Sequence, residues 1–152
     1  MRLHLGLVGF GNVARRFVEL LDEQRDALRA LDIEPVIVGI ATRHHGCAWN
    51  DAGIDAPTLN TLVARAAAGD AVGPAMKSPA ATLIERLSAV RSDARVLVET
   101  TVLNVQSGEP AASHVRAAVS AGIHVISANK GPVACAYREL ADLAVAHNAS
   151  FL

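Results

Sequence analysis

Aromatic residues are few: three Phe, one Tyr and one Trp among 152 residues. A core for this chain therefore has to be assembled from Val, Leu, Ile and Ala, which suits helices layered on a parallel sheet. Cysteine is scarce too. Cys47 and Cys135 stand far apart, too few for a disulfide framework, so a reducing, cytoplasmic setting is expected. His44, His45 and Cys47 find no second cluster to complete a zinc ligand set, and no metal is expected. Neither sign of charge dominates, with 14 Lys and Arg against 15 Asp and Glu. Without a concentrated basic stretch, the electrostatic footprint of a nucleic-acid binder is missing, and no nucleic-acid partner is expected. The apolar runs fall well short of the roughly 20 residues that cross a bilayer. The N-terminus lacks the basic-then-apolar layout of a secretion signal. Those two absences predict a soluble protein with no membrane partner. No repeat, low-complexity tract or interdomain linker interrupts the chain, and its length suits one compact domain.

What is present is a succession of short apolar runs and amphipathic stretches. Leu3 to Val8 reads as a buried strand and runs into Gly9-Phe10-Gly11-Asn12-Val13-Ala14. A helix should follow, with Val13, Phe17, Leu20, Leu21, Leu28 and Leu31 on its apolar side. Pro35 opens a second strand over Val36 to Ala41. Between Thr42 and Asp93, His44 to Cys47 and Gly53 read as loop. Two helices are expected there, one from about Leu59 to Ala68 with Thr58 as N-cap and Gly69 as stop. The other starts at Ser78-Pro79 and turns Leu83, Ile84 and Leu87 inward. Val96 to Val98 predicts a third strand ending at Glu99-Thr100-Thr101. Pro110 begins a helix that Gly122 can end, and His124 to Ser127 a fourth strand. Pro132 is expected at the first position of a last helix, with Val133, Ala136, Tyr137, Leu140 and Ala144 on one face and Asn148 at its end. Ser150-Phe151-Leu152 looks like the opening of a fifth strand cut short. This alternation predicts an α/β fold, a Rossmann-type open parallel sheet with helices on both faces.

In such a fold, glycine at position 9 permits a tight turn, and glycine at position 11 lets the backbone approach a pyrophosphate at the helix N-terminus. Ala14 fills the third small position. Glycines also end strands for structural reasons alone, but here a strand precedes and a helix and strand follow. Thr42 and Arg43 stand at the end of the second strand, where an acidic residue would hold ribose hydroxyls and a basic one a 2′-phosphate. With no carboxylate there, NADP is favoured over NAD through Arg43 and the Thr42 hydroxyl. The plainer reading of Arg43 is a solvated loop residue. Lys130 falls at the carboxyl edge of the sheet, where an ammonium can bind a carboxylate or polarise a carbonyl. Position alone leaves it equally open to being a solvated lysine. Thr100 and Thr101 share that edge and can face the nicotinamide ribose.

The run Gly6 to Val13, together with Ser127-Ala128-Asn129-Lys130-Gly131-Pro132-Val133-Ala134, Tyr137 and Leu140, resembles homoserine dehydrogenase. His114, Ala117, Ala118, Ala121, Gly122 and Val125 continue the likeness, whereas residues 42–93 add little. The resemblance implies reversible hydride transfer between NAD(P)H and aspartate semialdehyde or homoserine, on the aspartate route to threonine and methionine. It implies a cofactor over Gly9, Phe10, Gly11, Asn12 and Val13, a nicotinamide side at Thr100, Thr101, Ala128 and Asn129, and Lys130 as the catalytic residue. Ala14 departs from the family's usual glycine, and Glu99 stands where aspartate is common. The expected organisation is one NAD(P)-binding domain over residues 1–152, lacking the substrate-binding and dimerising region. A homodimer would form only with that region. Two other readings stay open: a stand-alone dinucleotide-binding regulatory module, and the cofactor domain of another semialdehyde or amino-acid dehydrogenase.

Overall fold

The computed structural model describes residues 1–152. Its elements follow in the order β1 (Arg2–Val8), α1 (Asn12–Glu23), α2 (Arg25–Ala30), β2 (Glu34–Ala41), β3 (Cys47–Trp49), α3 (Ala56–Ala67), α4 (Pro79–Ala89), β4 (Ala94–Glu99), α5 (Ala111–Ser120), β5 (His124–Ser127) and α6 (Lys130–Ala146). The strands form one sheet in the order β3-β2-β1-β4-β5. Pairings β1 with β2, β1 with β4 and β4 with β5 are parallel. The chain moves outward from β1 to β3, then crosses back to β4 on the other side of β1. That reversal makes a switch point at the carboxyl ends of β1 and β4, where open α/β sheets hold ligands.

Alternation along the strands sends Leu5, Leu7, Val96 and Val98 to one face, under α1 and α3, with Ala14, Val18 and Leu62. Val8, Val38, Leu97 and Val125 line the other face, with Leu83, Leu87, Val115, Val119 and Leu140 from α4, α5 and α6. Aliphatic side chains fill both layers, as the shortage of aromatics required. No helix is long and apolar enough to cross a membrane.

Several expectations are corrected. The sheet is not purely parallel, because β3 pairs antiparallel with β2 and its first residue, Cys47, is buried. Cys47 to Trp49 is too short a stretch to show a period, and its first residue, Cys47, read as loop. The first helix breaks at Gln24 (φ −95°, ψ 10°). Its inward stripe is Ala14, Phe17, Val18 and Leu21, while Val13, Leu20 and Leu31 are exposed. α3 begins a turn early because Asp55, not Thr58, is its N-cap, with Oδ1 accepting the Thr58 N–H at 2.7 Å. α6 likewise starts at Lys130 with Asn129 as cap, leaving Pro132 third in the helix. Val133 and Tyr137 face outward, and the backbone kinks at Ala136. Other ends agree with expectation. Asn148 adopts φ +53° after α6, and Ala149 N–H closes on Ala144 O at 2.8 Å. Phe151 makes a parallel bridge to Val125 at the β5 edge.

Candidate functional site

The turn after β1 is built by two different glycine requirements. Gly9 sits at φ +87°, and a Cβ there would lie 2.8 Å from the Thr100 carbonyl carbon and oxygen. Its N–H bonds Ala41 O at 2.9 Å. Gly11 is the N-cap of α1, and a Cβ on it would meet nothing within 4 Å. No side chain caps this helix and its first turn holds no acidic residue. The amides of Asn12, Val13 and Ala14 therefore have no acceptor within the helix and present a positive dipole end. Asn12 Oδ1 accepts from Arg15 Nη2 at 2.6 Å, and Val13 is exposed beside the turn. Phe10 turns its ring into the core, so only its backbone borders the turn.

At the end of β2, the Thr42 hydroxyl is already committed. It donates to Gly46 O at 2.7 Å and accepts the His45 N–H at 2.9 Å. Thr42 is buried, braces the turn into β3 and borders the same cavity as Arg43. Arg43 is exposed and forms no ion pair or hydrogen bond with the protein. Its side chain borders a cavity of about 630 Å³ between the starts of α4 and α5, lined also by Gly9, Ser78, Thr101, Glu109 and His114. A larger cleft, about 780 Å³, opens at the amino end of the sheet around Arg2, His4 and Arg91. That is the edge opposite to where parallel α/β folds bind ligands.

Beyond β4, the hydroxyls of Thr100 and Thr101 are bonded within the protein. Thr100 Oγ1 lies 3.2 Å from both Val8 O and Gly9 O, shares its proton between them and steadies the glycine turn. Thr101 donates both its N–H, at 3.1 Å, and its hydroxyl to Glu99 Oε1. Asn129 Oδ1 caps α6 through Gly131 N–H at 2.9 Å, and its Nδ2 donates to Thr101 O at 3.1 Å. These contacts brace the two loops against each other and leave the Lys130 ammonium exposed and unpaired at the edge. Ala128 beside it is exposed, its N–H bonded to Glu99 O at 3.0 Å.

Glu99 was noted in the sequence as a strand end and a departure from aspartate, with no role given to it, yet it organises this corner. Its carboxylate is wholly buried and also accepts from Ser127 Oγ at 3.3 Å. Burial alone would raise its pKa, but His114 and the bonds from Thr101 outweigh that and hold it below the ordinary carboxylate range. A lone carboxylate ending an apolar strand was the signal available in the sequence.

Residues 9–152 match the family model described as Homoserine dehydrogenase, NAD binding domain. The chain belongs to this homoserine dehydrogenase family. An NAD(+)-dependent homoserine dehydrogenase of Pseudomonas canavaninivorans is 35% identical over 150 residues, 97% of this chain and 41% of that protein. The homoserine dehydrogenase of Methanocaldococcus jannaschii is 31% identical over 145 residues, 95% of this chain and 42% of that protein. A hyperthermophilic archaeal homoserine dehydrogenase in complex with NADPH superposes with a TM-score of 0.75 at 26% identity, over all of this chain and 43% of its own. The Thermoplasma acidophilum homoserine dehydrogenase, at 20% identity and a TM-score of 0.76, shares the fold. This chain thus spans about two fifths of the length of these homoserine dehydrogenases. The geometry fits the nicotinamide dinucleotide of the family's description. Space stands open at Gly11, the helix start carries free amides, and an unpaired Arg43 borders the adjoining cavity.

Proposed function

We propose that residues 1–152 are the NAD(P)-binding domain of a homoserine dehydrogenase, preferring NADP, that transfers hydride between the cofactor and homoserine or aspartate semialdehyde. The observation that carries this reading is the uncapped start of α1, with open space at Gly11 and the free guanidinium of Arg43 at the same sheet edge. The amides following Gly11 would hold the pyrophosphate, as helix N-termini hold anions. Arg43 would take the 2′-phosphate through paired charge-assisted bonds. The cavity between α4 and α5 has room for the adenosine end. Thr100, Thr101, Ala128 and Asn129 would border the nicotinamide, mostly through backbone, since the side chains of Thr100, Thr101 and Asn129 are bonded within the protein. When bound, the dinucleotide supplies the hydride chemistry.

Lys130 Nζ is the chain's own polar group toward substrate, placed to donate a hydrogen bond to a carboxylate or carbonyl oxygen. The substrate-binding and dimerising surfaces belong, on this reading, to the remaining three fifths or so of the relatives' length. The assembled enzyme would be a cytoplasmic homodimer, in keeping with the free thiols of Cys47 and Cys135. Calorimetric titration with NADPH and NADH tests the cofactor assignment. Arg43→Ala should weaken NADPH about tenfold or more, the value of one charged hydrogen bond, and leave NADH unchanged. Equal NADPH affinity in the two proteins overturns the role of Arg43.

A further inference from the structure

His114, in the first turns of α5, forms part of the cavity wall shared with Gly9 and Arg43. Its Nδ1 is closed off from solvent and has no hydrogen-bond partner. Glu99 Oε1 stands 3.7 Å from it, beyond hydrogen-bond length but within ion-pair reach. We propose that His114, held against Glu99, is a further residue of the dinucleotide site and acts there as a cation, so that proton uptake by its ring accompanies cofactor binding. The inference rests on the dinucleotide reading of this edge given above.

The chemistry follows from what each ring nitrogen faces. Glu99 is wholly buried and accepts from Thr101 and Ser127, so it stays ionised. A lone pair on Nδ1 pointed at that carboxylate would be repelled, so Nδ1 carries the hydrogen. The next proton therefore goes to Nε2, and the ring then brings a positive charge to the cavity wall. Without that proton, the unbalanced Glu99 charge lies beneath a site meant for a polyanion. With it, the pair is neutral and an anionic ligand is favoured.

The other charged residues lining the cavity are Arg43 and Glu109, and Lys130 stands exposed at the same edge outside that lining. Arg43, on the loop after β2, lines the cavity and forms no ion pair there. Glu109, before α5, accepts from Ser113 N–H at 3.0 Å and lies 3.9 Å from Arg116. α4 brings Ser78, Pro79, Ala80, Ala81 and Ile84 to the wall, none of them charged. Glu139 of α6, the helix packed on α5, is taken by Arg116 at 2.6 Å. The sign is then fixed. The cofactor favours the protonated ring, so affinity is higher at low pH and falls as His114 loses its proton.

Calorimetric titration of residues 1–152 with NADPH from pH 5.5 to 8.5, in buffers of different ionisation enthalpy, reads both affinity and protons taken up. The free 2′-phosphate of NADPH titrates near 6 on its own account, and wild type and His114→Gln meet the same ligand with Arg43 in place. The difference between wild type and His114→Gln is therefore the measure. Wild-type affinity should fall several-fold more than that of His114→Gln across the range. Arg43→Ala should bind more weakly at each pH and keep the excess fall. In assigned NMR spectra of the wild type, NADPH should raise the His114 titration midpoint, a reading that needs no substitution. Equal pH slopes and proton counts in wild type and His114→Gln, or an unmoved midpoint, overturn the proposal. Absence of NADPH binding at every pH fails the dinucleotide reading instead.

Discussion

Gly9 and Gly11 are two residues apart, and substitution should separate their tasks. At Gly9, a side chain meets both a left-handed backbone and the Thr100 carbonyl at 2.8 Å. Gly9→Ala should therefore cost about 1–3 kcal/mol of stability, read as a lower urea midpoint. At Gly11, φ is −79° and the space outside is empty. Gly11→Val should cost under about 1 kcal/mol, the scale of a poorer N-cap residue, yet block a pyrophosphate from the helix start. Unfolding curves and NADPH titration on the two variants check the contrast. Undiminished NADPH binding by Gly11→Val would make the turn purely structural. Thr42 and Thr100 teach a related lesson. Each stands at the expected edge, but each spends its hydroxyl on a nearby carbonyl. A sequence names the donor and not its acceptor.

Among the elements, the apolar strands β1, β2, β4 and β5 and the proline-led helices α4 and α5 were legible. β3 was not, because three residues show no alternation and its pairing is set by the turn that Thr42 braces. The face of α1 was misjudged because Ala14, wholly buried, looks neutral while exposed Val13 and Leu20 look apolar. Helix starts slipped for one reason. Asp55 captures the amide of Thr58, so the candidate cap is the donor to the true one. In α6, the visible Pro132 outweighed Asn129, whose capping bond to Gly131 needs coordinates to see. The Lys130 motif was legible as a motif, whereas the Glu99 and His114 pair beneath it was not, since it joins α5 to β4. The two caps should differ in weight. Asp55→Ala removes one exposed cap, worth about 1 kcal/mol. Asn129→Ala removes a buried cap and strips the Thr101 carbonyl of its donor, for about 2–3 kcal/mol. It should also weaken NADPH binding, which Asp55→Ala should not. Denaturant unfolding and NADPH titration of both variants decide it, and the reverse order of costs would count against the bracing role of Asn129.

For the whole molecule, the reversal of strand order brings the starts of α1, α5 and α6 to one edge, so a dinucleotide across that edge would tie both helical layers together. Binding there should stabilise the fold globally. At a hundredfold excess over Kd, a ligand adds about 2.7 kcal/mol, or roughly 5–11 °C in Tm for a domain of this size. Turnover is another matter. Hydride transfer needs the substrate carbon held close to the nicotinamide in attack geometry, and positioning accounts for roughly 7–11 kcal/mol of a catalysed barrier. On the proposed reading, this chain supplies one wall of that arrangement, with Lys130 exposed to water and unpaired. Water competes for each contact Lys130 could make and weakens its electrostatics. We therefore expect residues 1–152 to show the NADPH-dependent rise in Tm but no useful consumption of NADPH with aspartate semialdehyde. Fusion to the downstream part of a homoserine dehydrogenase should restore activity, and Lys130→Ala should then remove most of it while preserving the thermal shift. NADPH absorbance and thermal unfolding, measured on the same samples, check both halves. Robust Lys130-dependent oxidation by residues 1–152 alone would show that this edge closes around its substrate without help.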